Sequence, residues 1–250
     1  MRNVAKLQRL LEVMWVPGAL RGALTWKKFS LAAFQILSRL KGAGVQPATI
    51  IDVGANAGQF SVAASHAFPR AVLYPVEPDP ATAQRLRQNL PPHVAANVVV
   101  SAMGERIGSV EFQINADSQA SSLLALGEGR KNSFPGDNVQ RTVTVPMTTL
   151  DALFAGKPLA LPVLLKIDVQ GYEDRVIAGG AQLLERVRWV VLEMSFAQLY
   201  EGEKDFPWML DMMSKKGFRF VRPLDFHISE KTGSIIEMDA LFENVALTGH

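Results

Sequence analysis

The chain contains no cysteine. That excludes disulfides, thiolate metal sites and cysteine nucleophiles, and it fits a reducing compartment. Histidine is nearly as scarce: His66, His93, His227 and His250 are the four, and no two are spaced as paired metal ligands. No uninterrupted apolar run approaches the ~18 residues that a spanning helix needs. Arg9 and Glu12 break the N-terminal stretch that could otherwise resemble the apolar region of a secretory signal, so the expected location is cytoplasmic. Two phosphate-binding fingerprints are missing too. A dinucleotide turn needs glycine at 56 and 59, where the chain has Asn56 and Gln59, and no Gly-Lys-Ser/Thr loop occurs. Internal repeats and low-complexity tracts are absent.

What is present suits a folded enzyme-sized domain. At 48% apolar and 20% charged, the 250 residues can bury a sizeable core, and global disorder is excluded. The net charge of +2 conceals an asymmetry: residues 1–41 carry eight basic residues and only Glu12 as acid, a net +7, leaving the remainder at −5. Residues 1–45 therefore read as a basic, amphipathic helical extension, with Val4, Leu7, Leu10, Leu11 and Met14 at helical spacing and Pro17-Gly18 as a break. It acts either as a cap over the sheet or cleft, or as a contact with a second subunit. Basic residues beside Trp15, Trp26 and Phe29 leave a peripheral membrane contact as the alternative. Nucleic acid is not indicated, because residues 46–250, read as the main domain, are net acidic.

The organising stretch is Thr49–Phe60, TIIDVGANAGQF. A β-branched apolar run ends in a glycine-bearing turn and a helix start, the way open α/β sheets build ligand sites at strand C-termini. Gly54 and Gly58 permit positive φ, and Asn56 tolerates it. The spacing Asp52-x-Gly54-x-Asn56-x-Gly58, followed by Gln59, resembles the nucleotide-binding turn of S-adenosylmethionine-dependent methyltransferases. A second strand, residues 71–76, ends in Glu77-Pro78-Asp79-Pro80. An acid about 25 residues beyond Asp52 can accept both ribose hydroxyls of an adenosine. Glu77 is assigned to that role, and Asp79, just before a helix over 81–90, to capping. A third strand is expected over 97–101, placing Ser101 and Ala102 beside the adenine.

Residues 109–115 alternate as a strand, 116–140 show no clear period and read as a lid or a disordered loop, and 141–145 alternate again. The second chemical centre is Leu164–Glu173, LLKIDVQGYE, a strand turning polar before Gly171 and a helix to about 187. Lys166 and Asp168 share a sheet face, and Asp168 falls at the C-terminal lip. Two ionisable residues in so apolar a strand are costly without a function. Glu173 reads either as part of this centre or as an acid favoured by the dipole of the first helical turn. The strand over 189–192 likewise ends in Glu193. A helix over 207–216 and strands over 218–221 and 235–247 complete the chain.

The blocks IDVGANAGQFS, PVEPDP, TTLD, LLKIDVQGYEDRVIAGG, VVLEMS and MDALF resemble the FkbM family of S-adenosylmethionine-dependent methyltransferases, from about residue 50 to 242. The resemblance implies an α/β, Rossmann-like seven-stranded methyltransferase sheet, mostly parallel with an antiparallel last strand. It also implies methyl transfer to oxygen, typically a hydroxyl of a sugar, glycolipid or polyketide-like product. Many members carry Glu where this chain has Gln170. Alignment of nucleophile, methyl and sulfur supplies much of such a rate, and removal of the hydroxyl proton supplies the rest. Asp168 is the expected base, also placed beside the cofactor. Glu193 orients the acceptor or shares the proton, and Lys166 tunes Asp168 or holds the acceptor in place. A divalent cation held by Asp168, Glu193 and Glu173 is the less favoured route. The rival from another class is a catalytically idle member of this fold serving as a membrane-surface or assembly partner.

Overall fold

The computed structural model describes residues 18–134, 136–229 and 232–248. The helical pattern expected over residues 4–14 lies outside them. In chain order the elements are α1 (Ala19–Thr25), α2 (Leu31–Gly42), β1 (Thr49–Val53), α3 (Gln59–Ala67), β2 (Val72–Val76) and α4 (Pro80–Asn89). Then follow β3 (Ala102–Met103), β4 (Gly108–Asn115), α5 (Glu128–Ser133), β5 (Val139–Thr148), α6 (Leu150–Phe154) and β6 (Val163–Ile167). The last third holds α7 (Glu173–Ala178), α8 (Ala181–Leu184), β7 (Val187–Ser195), α9 (Phe206–Lys215), β8 (Phe218–Ile228) and β9 (Ile235–Asn244).

The main sheet has the order β2-β1-β6-β7-β9-β8. Strands β2, β1, β6 and β7 are parallel, while β9 runs antiparallel to both of its neighbours. All five residues of β1 and of β6 are buried, as expected of central strands covered on both faces. The third strand expected over 97–101 forms only as isolated bridges from Ala96 and Val99 to β2. Leu73 bonds to Ala95 and Asn97, and the carbonyl of Pro75 accepts from Val99. Pro75 has no N–H to complete the ladder, so the edge stays discontinuous. Counting that segment restores a seven-stranded arrangement. A smaller sheet, β3-β5-β4, stands beside it, built on the β4–β5 hairpin.

One face of the main sheet is covered by α2, whose Ala33, Ile36, Leu37 and Leu40 pack with Ile50, Phe60, Leu164, Trp189 and Leu241. Ser30 caps α2, and Arg39 pairs with Asp225 of β8 at 3.0 Å. The opposite face packs β6 and β7 against Phe154, Val176, Ile177, Met209 and Met213.

Three further expectations change in detail. The helix expected to run to about 187 is split into α7 and α8 at Gly179-Gly180. A Cβ on Gly179 would lie 2.1 Å from the carbonyl oxygen of Gly104, so the chain can pass there only without a side chain. Strand β8 extends to Ile228, accommodating Pro223 through register shifts against β9. The 116–140 segment is ordered: a 3-10 turn at Ser118–Ala120, a bridge from Gln113 to Ser122, a bridge from Leu126 to Tyr200, and α5. No helix among the described residues is long and apolar enough to cross a membrane.

Candidate active site

A cavity of about 680 Å³ opens at the C-terminal ends of the parallel strands, within the range of small-molecule sites. One half is walled by the turn after β1. Gly54, at φ 83°, and Ala55 both donate to the carbonyl of Val76 at 3.0 Å. A Cβ on Gly54 would lie 1.7 Å from the carbonyl oxygen of Asp168, so glycine is what lets the two strand ends meet. Asn56, at φ 46°, donates its backbone N–H to Glu77 Oε2 at 2.9 Å. Its side-chain oxygen accepts from Ala57 N at 2.6 Å and from the Ser118 hydroxyl at 3.1 Å. Gly58, at φ 96°, opens α3, and Gln59 bonds Gln119 at 3.0 Å, so the 3-10 turn is tied down over the loop.

Glu77 is 6% exposed and lines the cavity. Burial pushes its carboxyl up to about 7, against backbone N–H groups of Asp79 and Asn56 that favour the charged form. Asp79 caps α4, accepting from Thr82 N at 3.0 Å. Ser101, Ala102 and Met103 form the next stretch of wall, and Lys28, Ser30, Ala33 and Ile36 bring the N-terminal extension to it.

Asp52, expected to face the ligand, lies elsewhere. It is 1% exposed and is not on the cavity wall. Register pairs it with Lys166 of β6, and its Oδ2 accepts from Ser61 of α3 at 2.6 Å. Its side chain points to the face of the sheet covered by α3, where Ser61 and Lys166 meet it. Gly58 is likewise behind the wall.

The other half of the cavity is acidic. Lys166 Nζ lies 2.8 Å from Asp168 Oδ2 and 3.8 Å from Asp52 Oδ1, 5.4 Å from the centre of the Phe60 ring. Those carboxylates hold the ammonium well above the usual lysine range despite its burial. Asp168 is pulled below the usual carboxylate range chiefly by Lys166, with hydrogen bonds from Lys166 and Gln170 adding to it and burial opposing. Glu193 is pushed far up by burial, then by Asp168, Glu237 and Asp239. Charge is thus favoured on Asp168 and disfavoured on Glu193. Asp239 stands directly opposite Glu193 on β9, raised to about 7 by burial and Asp168.

Glu173 acts on this group electrostatically but lies behind the cavity wall. Its carboxylate accepts from Val169 N at 2.8 Å, and burial pushes it up to about 8. Among the described residues no three His, Cys, Asp or Glu side chains gather as a metal cage. His66 stacks on Trp26 with centroids 4.3 Å apart. His227 lines the cavity, 3.7 Å from Glu237 and edge-on to Phe134.

Sequence reasoning missed Asp239, Glu237 and Arg130 on this wall. Asp239 sits in the MDALF block and could have been found from it. Arg130, 7% exposed on α5, carried no signal: it pairs with Asp137 at 2.6 Å and lies 3.7 Å from Glu237.

Comparison with known proteins adds an independent line. A family model described as Methyltransferase FkbM domain matches residues 52–220. The 2-O-methyltransferase NoeI of Sinorhizobium fredii is 30% identical over 170 residues, 66% of this chain and 70% of that protein. The 31-O-demethyl-FK506 methyltransferase FkbM of Streptomyces tacrolimicus is 24% identical over 206 residues, 74% of this chain and 78% of that one. Among solved structures, the magnesium protoporphyrin IX methyltransferase ChlM of Synechocystis, with bound SAM, superposes with a TM-score of 0.45 at 11% identity, covering 85% of this chain and 77% of that chain.

Proposed function

The chain belongs to the FkbM methyltransferase family, and from that premise we propose that it moves the methyl group of S-adenosylmethionine onto an oxygen, a hydroxyl of a sugar, glycan, glycolipid or polyketide-like product. The observation that carries the reading is the two-part cavity, with a glycine turn and Glu77 on one side and the Asp168–Glu193 pair on the other. Both relatives above are named for methylation at oxygen.

The donor half fits S-adenosylmethionine by its chemistry. The Gly54–Ala57 turn offers close backbone approach, Glu77 offers carboxylate lone pairs for the ribose hydroxyls, and Ser101, Ala102 and Met103 offer a flat wall for the adenine. Asp52 contributes from behind, by fixing Lys166. When bound, S-adenosylmethionine supplies a methyl group activated by its sulfonium. Residues 18–45 are read as a cap on this side, since α1 and α2 lead Lys28, Ser30 and Ile36 to the wall.

The acceptor half orients and deprotonates. Asp168, ionised at neutral pH, accepts the hydrogen bond of the incoming hydroxyl. As the new C–O bond forms, that hydroxyl becomes strongly acidic, so even a carboxylate of low basicity takes its proton. Glu193, on which burial disfavours charge, stands beside it on the wall and orients the acceptor. Lys166 holds Asp168 in place and keeps it charged. General-base assistance of this kind is typically worth ~10²–10⁴ in rate.

Purified protein, S-adenosylmethionine and a panel of sugar and polyol acceptors, read by mass spectrometry for a product heavier by one methylene, test the reading. Product formation that falls ~100-fold or more in Asp168→Asn supports it. Full turnover in that variant, with EDTA also without effect, removes both roles considered for Asp168. Binding of S-adenosylmethionine without transfer to any acceptor would leave the catalytically idle alternative standing.

A further inference from the structure

Gln170 is the most heavily hydrogen-bonded side chain at the acceptor end. Its Nε2 donates to Asp168 Oδ1 at 2.9 Å and to Glu193 Oε2 at 2.7 Å. Its Oε1 accepts from Arg130 Nη1 at 3.2 Å and from the Tyr200 hydroxyl at 2.7 Å. Its backbone carbonyl accepts from Ser122 at 2.6 Å. The residue is buried, and its φ of 61° lies in the left-handed region that side chains rarely adopt. Gly171, at φ 93°, continues the turn tightly against Tyr200, where a Cβ would lie 2.9 Å from that ring's own Cβ.

An amide that could flip is here fixed by chemistry. A guanidinium can only donate, so the amide oxygen must face Arg130, and the NH₂ group must then face the two carboxyls. We propose that Gln170 is the positioning residue of the acceptor site, its orientation locked by Arg130 and Tyr200 so that both N–H groups hold Asp168 and Glu193 together. The proposal deepens the function given above and rests on its assignment of Asp168 and Glu193.

The arrangement links the 116–134 segment to the reacting groups. Ser122 and Arg130 both come from that segment and both end on Gln170, which ends on Asp168 and Glu193. An acceptor enclosed by the segment therefore meets carboxyls whose spacing the same segment sets. The two N–H donors reach both carboxyls and do not choose between them. They favour negative charge on the pair, and Lys166 places it on Asp168. The other groups facing the pair are Asp52 from β1, Glu237 and Asp239 from β9, Glu173 from α7 and Arg130 from α5. Asp225, Glu203, His227 and Asp137 act on those in turn.

Gln170→Glu is the informative replacement: it keeps an oxygen for Arg130 and Tyr200 and exchanges the two donors for an acceptor. Protein labelled with ¹³C at aspartate carboxyls is titrated by NMR, the Asp168 signal being identified by its loss in Asp168→Asn. The expected result is an upward move of the Asp168 titration by about one pH unit or more. The acid limb of kcat/KM should follow it, with kcat reduced and KM for S-adenosylmethionine unchanged. An unmoved titration in well-folded Gln170→Glu protein overturns the proposal. Gln170→Met, which removes both donors without adding charge, gives the same readout should the first variant not fold. The NMR arm needs no turnover, so an inactive wild-type protein would count against the proposed function while leaving the positioning role judged on its own.

Discussion

Replacing Lys166 by Met should turn the centre of the sheet from a balanced site into an unbalanced one. The ammonium is buried and faces Asp168 at 2.8 Å and Asp52 at 3.8 Å. Met has a similar length, so little cavity is left behind and packing against Phe60 largely survives. What is lost is the cation against Asp52, whose Oδ1 already has no hydrogen-bond partner among the described residues. Removing one partner of a buried pair typically costs ~3–5 kcal/mol, a large share of the ~5–15 kcal/mol that holds a domain together. The pH dependence makes the test specific. In the wild type, the lowered carboxyl of Asp168 contributes stability that is present above its unfolded value near ~4 and is lost as pH falls through the folded value. In the variant, Asp168 lies above its unfolded value and Asp52, already raised by burial in the wild type, rises further, so stability is depressed more at neutral pH and recovers as pH falls and they protonate. The lysine's own raised value contributes stability at neutral pH and below, lost only as pH rises through its folded value. Urea denaturation at about pH 7.5 and about pH 5 measures the gap between the two proteins. It should be several kcal/mol at the higher pH and smaller at the lower. A gap below ~1 kcal/mol at the higher pH, or one that widens on acidification, would refute the reasoning.

Gly54→Ala should leave most of the fold in place but cost at least ten-fold in S-adenosylmethionine affinity by calorimetry, because its Cβ must displace the Asp168 carbonyl from 1.7 Å at a φ of 83°. Affinity for S-adenosylmethionine should fall as pH drops through about 7, where Glu77 takes up a proton and loses carboxylate lone pairs for the ribose; affinity independent of pH across that value would dissociate Glu77 from the donor. Leu40→Ala, at a fully buried position of α2, should destabilise the whole protein by ~2–5 kcal/mol in a single transition. A separate early transition would instead show α2 to be dispensable to the sheet.

The two turns were legible because each is written in consecutive residues: β-branched strand, glycine, polar tip, helix. Thus Gly54, Asn56, Glu77, Lys166, Asp168 and Glu193 all reach the cavity wall. Asp52 was misplaced because the acid's face depends on how β1 pairs with β6, a register that a single strand does not encode. The third strand was overestimated because apolar character was read and the missing N–H of the neighbouring Pro75 was not. The 116–140 segment looked structureless because its order comes from one buried arginine, a local bridge between Gln113 and Ser122 and a bridge from Leu126 to distant Tyr200, none of which imposes a period.

The acceptor end also explains why the last strand matters. Inserting β9 antiparallel between β7 and β8 sets Asp239 opposite Glu193 and Glu237 opposite Ser195. Like charges directly opposite one another destabilise a sheet; burial and the neighbouring carboxylates raise both Glu193 and Asp239, which lessens that repulsion, and countercharge comes from elsewhere. Lys166 comes from the sheet's interior and Arg130 from α5. Both are already committed to carboxylates, at 2.8 Å and 2.6 Å. The floor of the cavity therefore presents hydrogen-bond acceptors in excess of donors. Such a surface opposes a second anion, which supports the proposed transfer to an alcohol oxygen.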